Sequence, residues 1–508
     1  MASFKRPDVY IEESLTTSAT VSSGTTGTGV FIGSHFRGPT DKPVLIESWS
    51  QFTSVYGGFP AVATVASELP FGVYNYFSNG GRAAYIVRIL GTGAVTSAVN
   101  LSDRAATPLV TLRITAANQG AWGNDLRVSI VDRDAANGRF DLLVFKGGTT
   151  DPFRVESWTN LSMVDTDPRH VEKVLNSPTT GSTYIRVQDM ASPTVGATAM
   201  PAASSGTALV GGTDGALPTQ AERTAAVGSG GLLDQIEGLA TVCFPGETTA
   251  AVIGALTTYC ETRETLFVVA DTTAGLAPAG AVTYGDTLPV SSYLAVYYPW
   301  VYTSDPSSTT PGAVRLSPPS AFVAGQIAAT DARVGVWKAP AGLNARLTGI
   351  VGTEQRALTS GSLDLLNENH VNAIRQVPGS GTVIWGARTQ MVNNAAKYVN
   401  VRRTLNYIKD SLKQSTQFAI FENNDQELWN LLSSVCSRFL SGLYEQGGLR
   451  GATADQAFFV KCDADLNTPA VIASGQVIVE VGVALQQPAE FIVIRIGQWE
   501  GGASAAEA

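Results

Sequence analysis

A chain of 508 residues is long for a single hydrophobic core, and roughly two to four domains are expected. Apolar residues at 44% and charged residues at 15% fit an ordinary globular protein and exclude a disordered or fibrous one. The net charge of -9 argues against nucleic acid as the main partner, because releasing counterions from phosphates needs a basic face.

Glycine (51 residues) and proline (24) predict many turns and short strands. Cys243, Cys260, Cys436 and Cys462 form no C-x-x-C pair and read as reduced thiols of a cytosolic product. The opening "MASFKRPD" has no apolar segment, so no signal peptide is expected. The longest apolar run, Leu294 to Tyr302, is too short for a bilayer and contains Pro299. The expectation is a soluble protein made inside a cell, one that leaves by lysis or within a particle if it acts outside.

In chain order, the first strand-like patch is Asp8-Val9-Tyr10-Ile11-Glu12. A Ser, Thr and Gly run from Ser14 to Gly29 follows, with almost nothing to bury, ahead of a buried strand at Val30 to Gly33. Next come a strand at Val44-Leu45-Ile46 and a short helix carrying Phe52 and Tyr56 on one face, with Ser50 as its cap. A second helix carries Phe71, Tyr74 and Phe77 and stops at Gly80-Gly81, and the strand "AAYIVRI" follows it. From Gly91 to Gly212 the segments "LVTLRITA", "DLRVSIV", "FDLLVFK" and "STYIRVQD" alternate between turn residues. They predict a β-rich unit, a small barrel or sandwich, with "VEKVLNSP" as its helix. The stretch Ala191 to Gly215 reads as a linker or surface loop.

From Leu239 to Pro340 the rhythm becomes β-α-β: "LATVCFPG", "AAVIGALTTYCETR", "LFVVAD", "YLAVYYPWVY" and then the helix "PPSAFVAGQIAATDAR" with Pro319 in its first turn. Such alternation predicts a parallel sheet covered by helices. The last third opens with a long helix whose apolar stripe is Val401, Leu405, Ile408 and Leu412. One step round lie Arg402, Asn406, Lys409 and Lys413, a basic ridge. A second helix starts near Asn424 with Glu427 completing a capping box. Two strands, "QVIVEVGVALQ" and "AEFIVIRIG", close the fold before the tail "GGASAAEA".

Chemical motifs are sparse. The histidines His35, His170 and His370 sit at no metal spacing and read as surface or hydrogen-bonded polar residues. "GTTGTG" mimics a phosphate loop but precedes a strand instead of joining strand to helix. "DADLNT" at Asp463 to Thr468 resembles the start of a calcium loop, yet Thr468 and Ser474 stand where Gly and Glu are needed, so a polar turn is expected. Asp271 ends a parallel strand, where α/β enzymes place catalytic groups, with Thr272 and Thr273 nearby; a helix cap or turn is the preferred reading. No catalytic residue, cofactor site or metal site is assigned. A hydrolase on the α/β domain is one competing reading, and a carbohydrate-binding outer unit using Trp122 and Trp158 is another.

Eight stretches occur in one order: "RGPTDKPVLIESWSQFTSVYGG", "NGGRAAYIVRI", "GAWGNDLRVSI", "PPSAFVAGQIAATDARVGVWKAPAG", "GSGTVIWGART", "YVNVRR", "FENNDQELW" and "PAEFIVIRI". Together they closely resemble the sheath protein of contractile phage tails and related injection systems, from Pro7 to Gln498. The resemblance implies an α/β multidomain fold: a subtilisin-like α/β domain without a catalytic triad, a β-rich inserted domain, and an α+β C-terminal domain with exchanged terminal strands. Mapped onto this chain, residues 1–27 are an N-terminal arm, 28–90 and 213–378 the α/β domain, and 91–212 the outer insert. Residues 379–497 are the inner C-terminal domain with a donated strand at 490–496, and 498–508 the tail.

The family implies strand exchange between subunits, in which backbone bonds give affinity and alternating side chains give register. Val9, Tyr10, Ile11 and Glu12 would be one donated strand, and Phe491, Ile492, Val493, Ile494, Arg495 and Ile496 the other. Val477, Ile478, Val479, Val481 and Val483 would be the recipient strand. The Ser14 to Gly27 tether reaches roughly 45 Å when fully extended and does not collapse. Arg402, Arg403, Lys409 and Lys413 are the candidate contacts to an inner tube. The implied partners are further copies in a helical stack of rings, the inner tail tube protein, and baseplate and tail terminator proteins, with neither nucleic acid nor membrane insertion. The implied place is the virion tail, after assembly in the host cytoplasm; a phage-derived injection system or bacteriocin is the alternative.

Overall fold

The strand Thr28–Ser34 is buried from Gly29 to Gly33, because it runs through the middle of a sheet covered on both faces. In the computed structural model, residues 26–60, 68–193, 196–392 and 396–491 are described. The expected strand Asp8 to Glu12 and residues 492–496 of the expected C-terminal strand lie outside them.

The main sheet has eight strands, in the order Val44–Ile46, Ala83–Ile89, Thr28–Ser34, Ala240–Cys243, Leu266–Asp271, Leu294–Tyr298, Val371–Val377 and Gly381–Ile384. The six inner strands are parallel and the two outermost antiparallel. Strands from residues 28–90 and from 240–384 therefore belong to one sheet. The boundary expected at 379 falls inside the hairpin formed by the last two strands. Alternation along the strands builds two cores. Phe31, Ile86, Phe267 and Tyr297 face the helices Trp49–Tyr56, Leu69–Ser78 and Ser320–Arg333. Val30, Val87, Val242 and Val268 face the helix Ala250–Arg263 on the other side.

Local details depart from expectation in instructive ways. The first helix is capped by Ser48, which accepts from the Gln51 amide at 3.2 Å, and Ser50 lies inside the helix. In the second helix Tyr74 faces outward, while Tyr76 turns in, its hydroxyl 2.8 and 2.9 Å from the Gly27 and Ala83 carbonyls. The run Leu294 to Tyr302 is two strands: after the cis Tyr298–Pro299 peptide, Val301–Ser304 joins a separate three-stranded sheet.

The β-rich unit is a sandwich. Its sheets order as Ile185–Asp189, Val110–Ala116, Ala98–Ser102 and as Ser204–Ala208, Leu126–Asp134, Arg139–Lys146, Arg154–Leu161. They enclose Leu112, Ile114, Val128, Phe140 and Leu142. The expected linker Ala191 to Gly215 instead contributes the strand Ser204–Ala208, with Met200 and Leu209 fully buried. The unit joins the core through a narrow neck, in which Ala94–Val95 pairs with Thr213–Asp214 and the Ala216 amide bonds the Thr92 carbonyl at 3.0 Å. Beside the neck, the buried Arg88 guanidinium donates to the carbonyls of His35 (2.7 Å), Gly38 (2.6 Å) and Gln119 (2.9 Å).

The C-terminal part pairs the helices Val399–Ser415 and Gln426–Glu445 over a two-stranded sheet, Phe458–Lys461 with Glu480–Val483. Ile408, Phe439, Leu440 and Leu443 form its core. The cap of the second helix is Asp425, accepting from Glu427 and Leu428 amides at 3.0 and 3.1 Å. Asn424 instead accepts from the Trp429 indole at 2.8 Å, so the cap lies one residue later than expected, and with Leu428 at the third helical position the expected capping box with Glu427 does not form.

Candidate functional site

The strand order reverses between Thr28–Ser34 and Ala240–Cys243, and the crevice at the carboxyl ends of such a switch point is where α/β enzymes bind substrates. Here ion pairs and caps line it. Arg315 Nη2 donates to both carboxylate oxygens of Glu68, at 2.6 and 2.7 Å, and the same guanidinium stacks 3.2 Å from the Phe71 ring centre. Arg223 pairs with Glu247 at 2.7 Å.

Asp271 is fully buried behind them. One carboxylate oxygen accepts from the Ser320 amide at 2.7 Å; the other accepts from the Gly246 amide at 3.0 Å and the Ser320 hydroxyl at 2.8 Å. Asp271 thus caps the Ser320–Arg333 helix from across the sheet. The Thr272 hydroxyl is buried with no hydrogen-bond partner among the described residues, and Thr273 is exposed. Burial outweighs these donors and pushes the Asp271 carboxyl up to about 7.

That shift sets a pH dependence. With its folded value raised above 3.8, Asp271 contributes stability that is full below 3.8 and lost as pH rises toward about 7. His35 slopes the opposite way. It is buried against Phe36 and Phe52, and its Nε2 has no partner among the described residues. Burial lowers its pKa to about 3, so its contribution is lost as pH falls from 6.5. Comparing Asp271→Asn with the parent isolates Asp271. The urea-midpoint stability difference between the two is expected to change by on the order of 3 kcal/mol across pH 4 to 7. A flat difference would reject this assignment.

The remaining motif residues are structural. Asp463 accepts from the Asp465 and Leu466 amides at 3.1 and 3.2 Å, and the Lys461 ammonium lies 3.6 and 3.4 Å from the Asp463 and Asp465 carboxylates. His170 lies 3.1 Å from Asp189, and His370 lies 2.9 Å from the Thr389 carbonyl. Trp122 is buried in the sandwich core with the Arg37 guanidinium 4.8 Å from its ring centre, and half-buried Trp158 donates to Glu156 at 2.9 Å.

The basic ridge does not form as one surface. The helix Val399–Ser415 buries polar residues as well as its apolar stripe, because it lies against the α/β core. Arg403 is only 8% exposed and forks onto the carboxylate of Asp331, one bond measuring 2.9 Å. Arg402 donates to the Tyr293 hydroxyl at 2.9 Å and stacks on that ring. Asn406 is buried. Lys409, paired with Glu264 at 2.8 Å, and Lys413 are exposed. Arg403 therefore faces the core and not the surface where the tube contact was expected.

The expected recipient strand is shorter than the apolar run. Val481 and Val483 lie in the strand Glu480–Val483, whereas Val477, Ile478 and Val479 precede it. The Asn467 side chain bonds both the amide (2.7 Å) and the carbonyl (3.1 Å) of Ile478, occupying the groups a strand partner would use. Among the described residues the sheet has two strands, so each presents an open edge.

Sequence reading missed one cluster. Glu490, at the start of the last stretch, accepts from Arg388 at 2.9 and 2.5 Å and from the Tyr398 hydroxyl at 3.2 Å. Arg388 and Glu490 stand in the stretches "GSGTVIWGART" and "PAEFIVIRI", so the signal was present without its pairing. Phe491, just beyond, is 75% exposed.

The chain thus combines a doubly covered α/β sheet, a sandwich insert and a C-terminal unit with open strand edges among the described residues. The sequence profile of the phage tail sheath protein central domain matches residues 230–390, and that of the phage tail sheath C-terminal domain matches residues 391–498. The chain belongs to the phage tail sheath protein family. It is 29% identical over 231 residues to the tail sheath protein of Burkholderia phage BcepMu, covering 44% of this chain and 45% of that one. The match thus spans less than half of the relative's length. The fold is shared with a chain of the anti-feeding prophage baseplate (TM-score 0.59, 23% identity, 97% of this chain and 99% of that one). It is also shared with the sheath complex of an extracellular contractile injection system, PVC, in its contracted state (TM-score 0.59, 22% identity, 98% and 99%).

Proposed function

We propose that this chain is the structural subunit of a contractile tail sheath. It polymerises as a helical cylinder of rings around an inner tube and contracts from a metastable extended state to drive that tube through a target cell envelope. The observation that carries this reading is the likeness, over nearly the whole chain, to a contracted sheath complex, together with two consecutive sheath profiles over residues 230–498.

The finer features follow the same reading. The central sheet is a subtilisin-like layout used as scaffold and not as an enzyme; the capping role of Asp271 and the ion-paired crevice support this. Terminal strands Val9 to Glu12 and Phe491 to Ile496 are exchanged between subunits, with Val481 and Val483 on a recipient edge. Each backbone bond nets only about 0.5–1.5 kcal/mol, so apolar side chains of the arms must add to the joint. Lys409 and Lys413 are the tube contacts retained, with Arg402 beside them. Baseplate and tail terminator proteins close the ends, and neither nucleic acid nor membrane insertion is involved. The protein resides in the virion tail after assembly in the host cytoplasm. The likeness to the anti-feeding prophage and PVC structures favours, as a second reading, the same mechanical role in an injection particle.

Electron microscopy of the full chain co-produced with its tube protein tests the proposal. Striated cylinders that shorten without added nucleotide are expected, and Lys409→Glu with Lys413→Glu is expected to lose tube-templated cylinders. Cylinders that shorten only with ATP would reject the mechanism; undiminished templating by the double variant would reject the tube contact.

A further inference from the structure

The path into the C-terminal arm is fastened step by step. The Ala484 amide bonds the Ala457 carbonyl at 2.8 Å, and Leu485 packs with Ala396, Tyr398 and Val401. Asn400 donates to the Gln486 carbonyl at 2.9 Å. The chain then leaves the C-terminal unit and crosses to the edge of the main sheet, where Glu490 meets Arg388. Arg388 is held from behind. Its amide donates to the Asn372 carboxamide at 2.7 Å, its carbonyl accepts from the same side chain at 2.7 Å, and Nη1 donates to the Asn367 carbonyl at 2.7 Å. Both side chains of the fork are largely buried, at 12% and 17% exposure. The next residue, Phe491, lies exposed at the rim of a groove of about 560 Å³.

We propose that the Arg388–Glu490–Tyr398 cluster is the mechanical root of the C-terminal arm, a clamp that passes tension on the arm into the eight-stranded sheet and spares the two-stranded one. This inference rests on the strand-exchange reading. Its physical basis is the contrast between the two attachments. The strand Glu480–Val483 is held to Phe458–Lys461 by a ladder of only four residue pairs, backed by the packing of Val481 and Val483 against the helical core. Pulled from its C-terminal end, such a ladder opens one bond at a time. The fork is bidentate, charge-assisted and shielded from water, and Asn372 ties it to an inner strand of the main sheet. With the clamp closed, subunits can rotate about the arm while the small sheet keeps its register.

The test uses the full chain co-produced with its tube protein, in four forms: parent, Glu490→Gln, Arg388→Lys and a chain ending at Glu490. The readout is hydrogen exchange of the Glu480–Val483 amides in the soluble subunit and in cylinders before and after contraction. The clamp requires Glu490→Gln to keep parental protection in the soluble subunit and to lose it at least tenfold in contracted cylinders, with shortened or fragmented particles. Arg388→Lys, which keeps charge without the fork, should fall between. Parental protection and intact contracted cylinders for both variants would overturn the clamp while leaving strand exchange standing. Normal cylinders from the chain ending at Glu490 would overturn exchange by this arm and the clamp with it. If Glu490→Gln is insoluble, Arg388→Lys decides alone, a parental result counting against the clamp.

Discussion

A chain beginning at Thr26 is expected to remain a folded, soluble subunit and to form no cylinders. The core does not need what precedes it: Thr28–Ser34 is already bonded on both sides, to Ala83–Ile89 and to Ala240–Cys243. The Tyr76 hydroxyl holds the Gly27 carbonyl at 2.8 Å, so the start of that strand stays in place. What the deletion removes is the apolar alternation of Val9 and Ile11 and the tether that carries it. Thermal melting followed by circular dichroism should move by only a few degrees, while sedimentation and negative-stain images should show loss of all long particles. Cylinders of normal length from this truncated chain would refute exchange through the N-terminal arm.

The second large effect concerns stability. Arg403→Met is expected to cost about 3–5 kcal/mol, because it strands the Asp331 carboxylate, 1% exposed, without its partner. Replacing both residues by apolar ones, Asp331→Leu with Arg403→Met, should recover most of that loss, since no buried charge remains. Denaturant midpoints of the three variants check this, read on the transition that includes the helix Val399–Ser415. A single variant within 1 kcal/mol of the parent would show that the pair is solvated in solution. The same geometry explains why charge reversal at Arg403 is a poor probe of tube binding: it would disturb the seat of the helix first.

The parts of this fold that were legible in sequence are those where burial is continuous and local. Val30-Phe31-Ile32 and "LFVVAD" announce strands covered on both faces, and both lie inside the main sheet. The β-rich texture from Gly91 onward became a sandwich for the same reason. The strand Ser204–Ala208 was illegible because "SSGTA" offers no apolar alternation; its place is set by backbone bonds to Leu126–Asp134. The cap at Ser48 could be missed because Ser48 and Ser50 both precede Phe52, and only the geometry of the Gln51 amide separates them. The ridge failed for a different reason. A cation beside an apolar stripe reads as outward-facing, yet Arg403 finds its anion 72 residues away, on another helix. Arg388 and Glu490 are 102 residues apart, so no periodicity could join them. The strands proposed as donated carry an alternating pattern, and on that reading what they bind belongs to another copy, which one chain's sequence does not encode as a contact.

The narrow neck of the sandwich has a consequence for how such proteins diversify. Entry and exit lie side by side at Thr92 and Ala216, so the parts of the insert away from Gln119 and Trp122, which Arg88 and Arg37 of the core hold, can be lengthened or trimmed without shifting the register of any strand in the main sheet. On the proposed sheath reading, with the sandwich facing outward, the exterior of the cylinder is free to vary while the main sheet keeps its pairing.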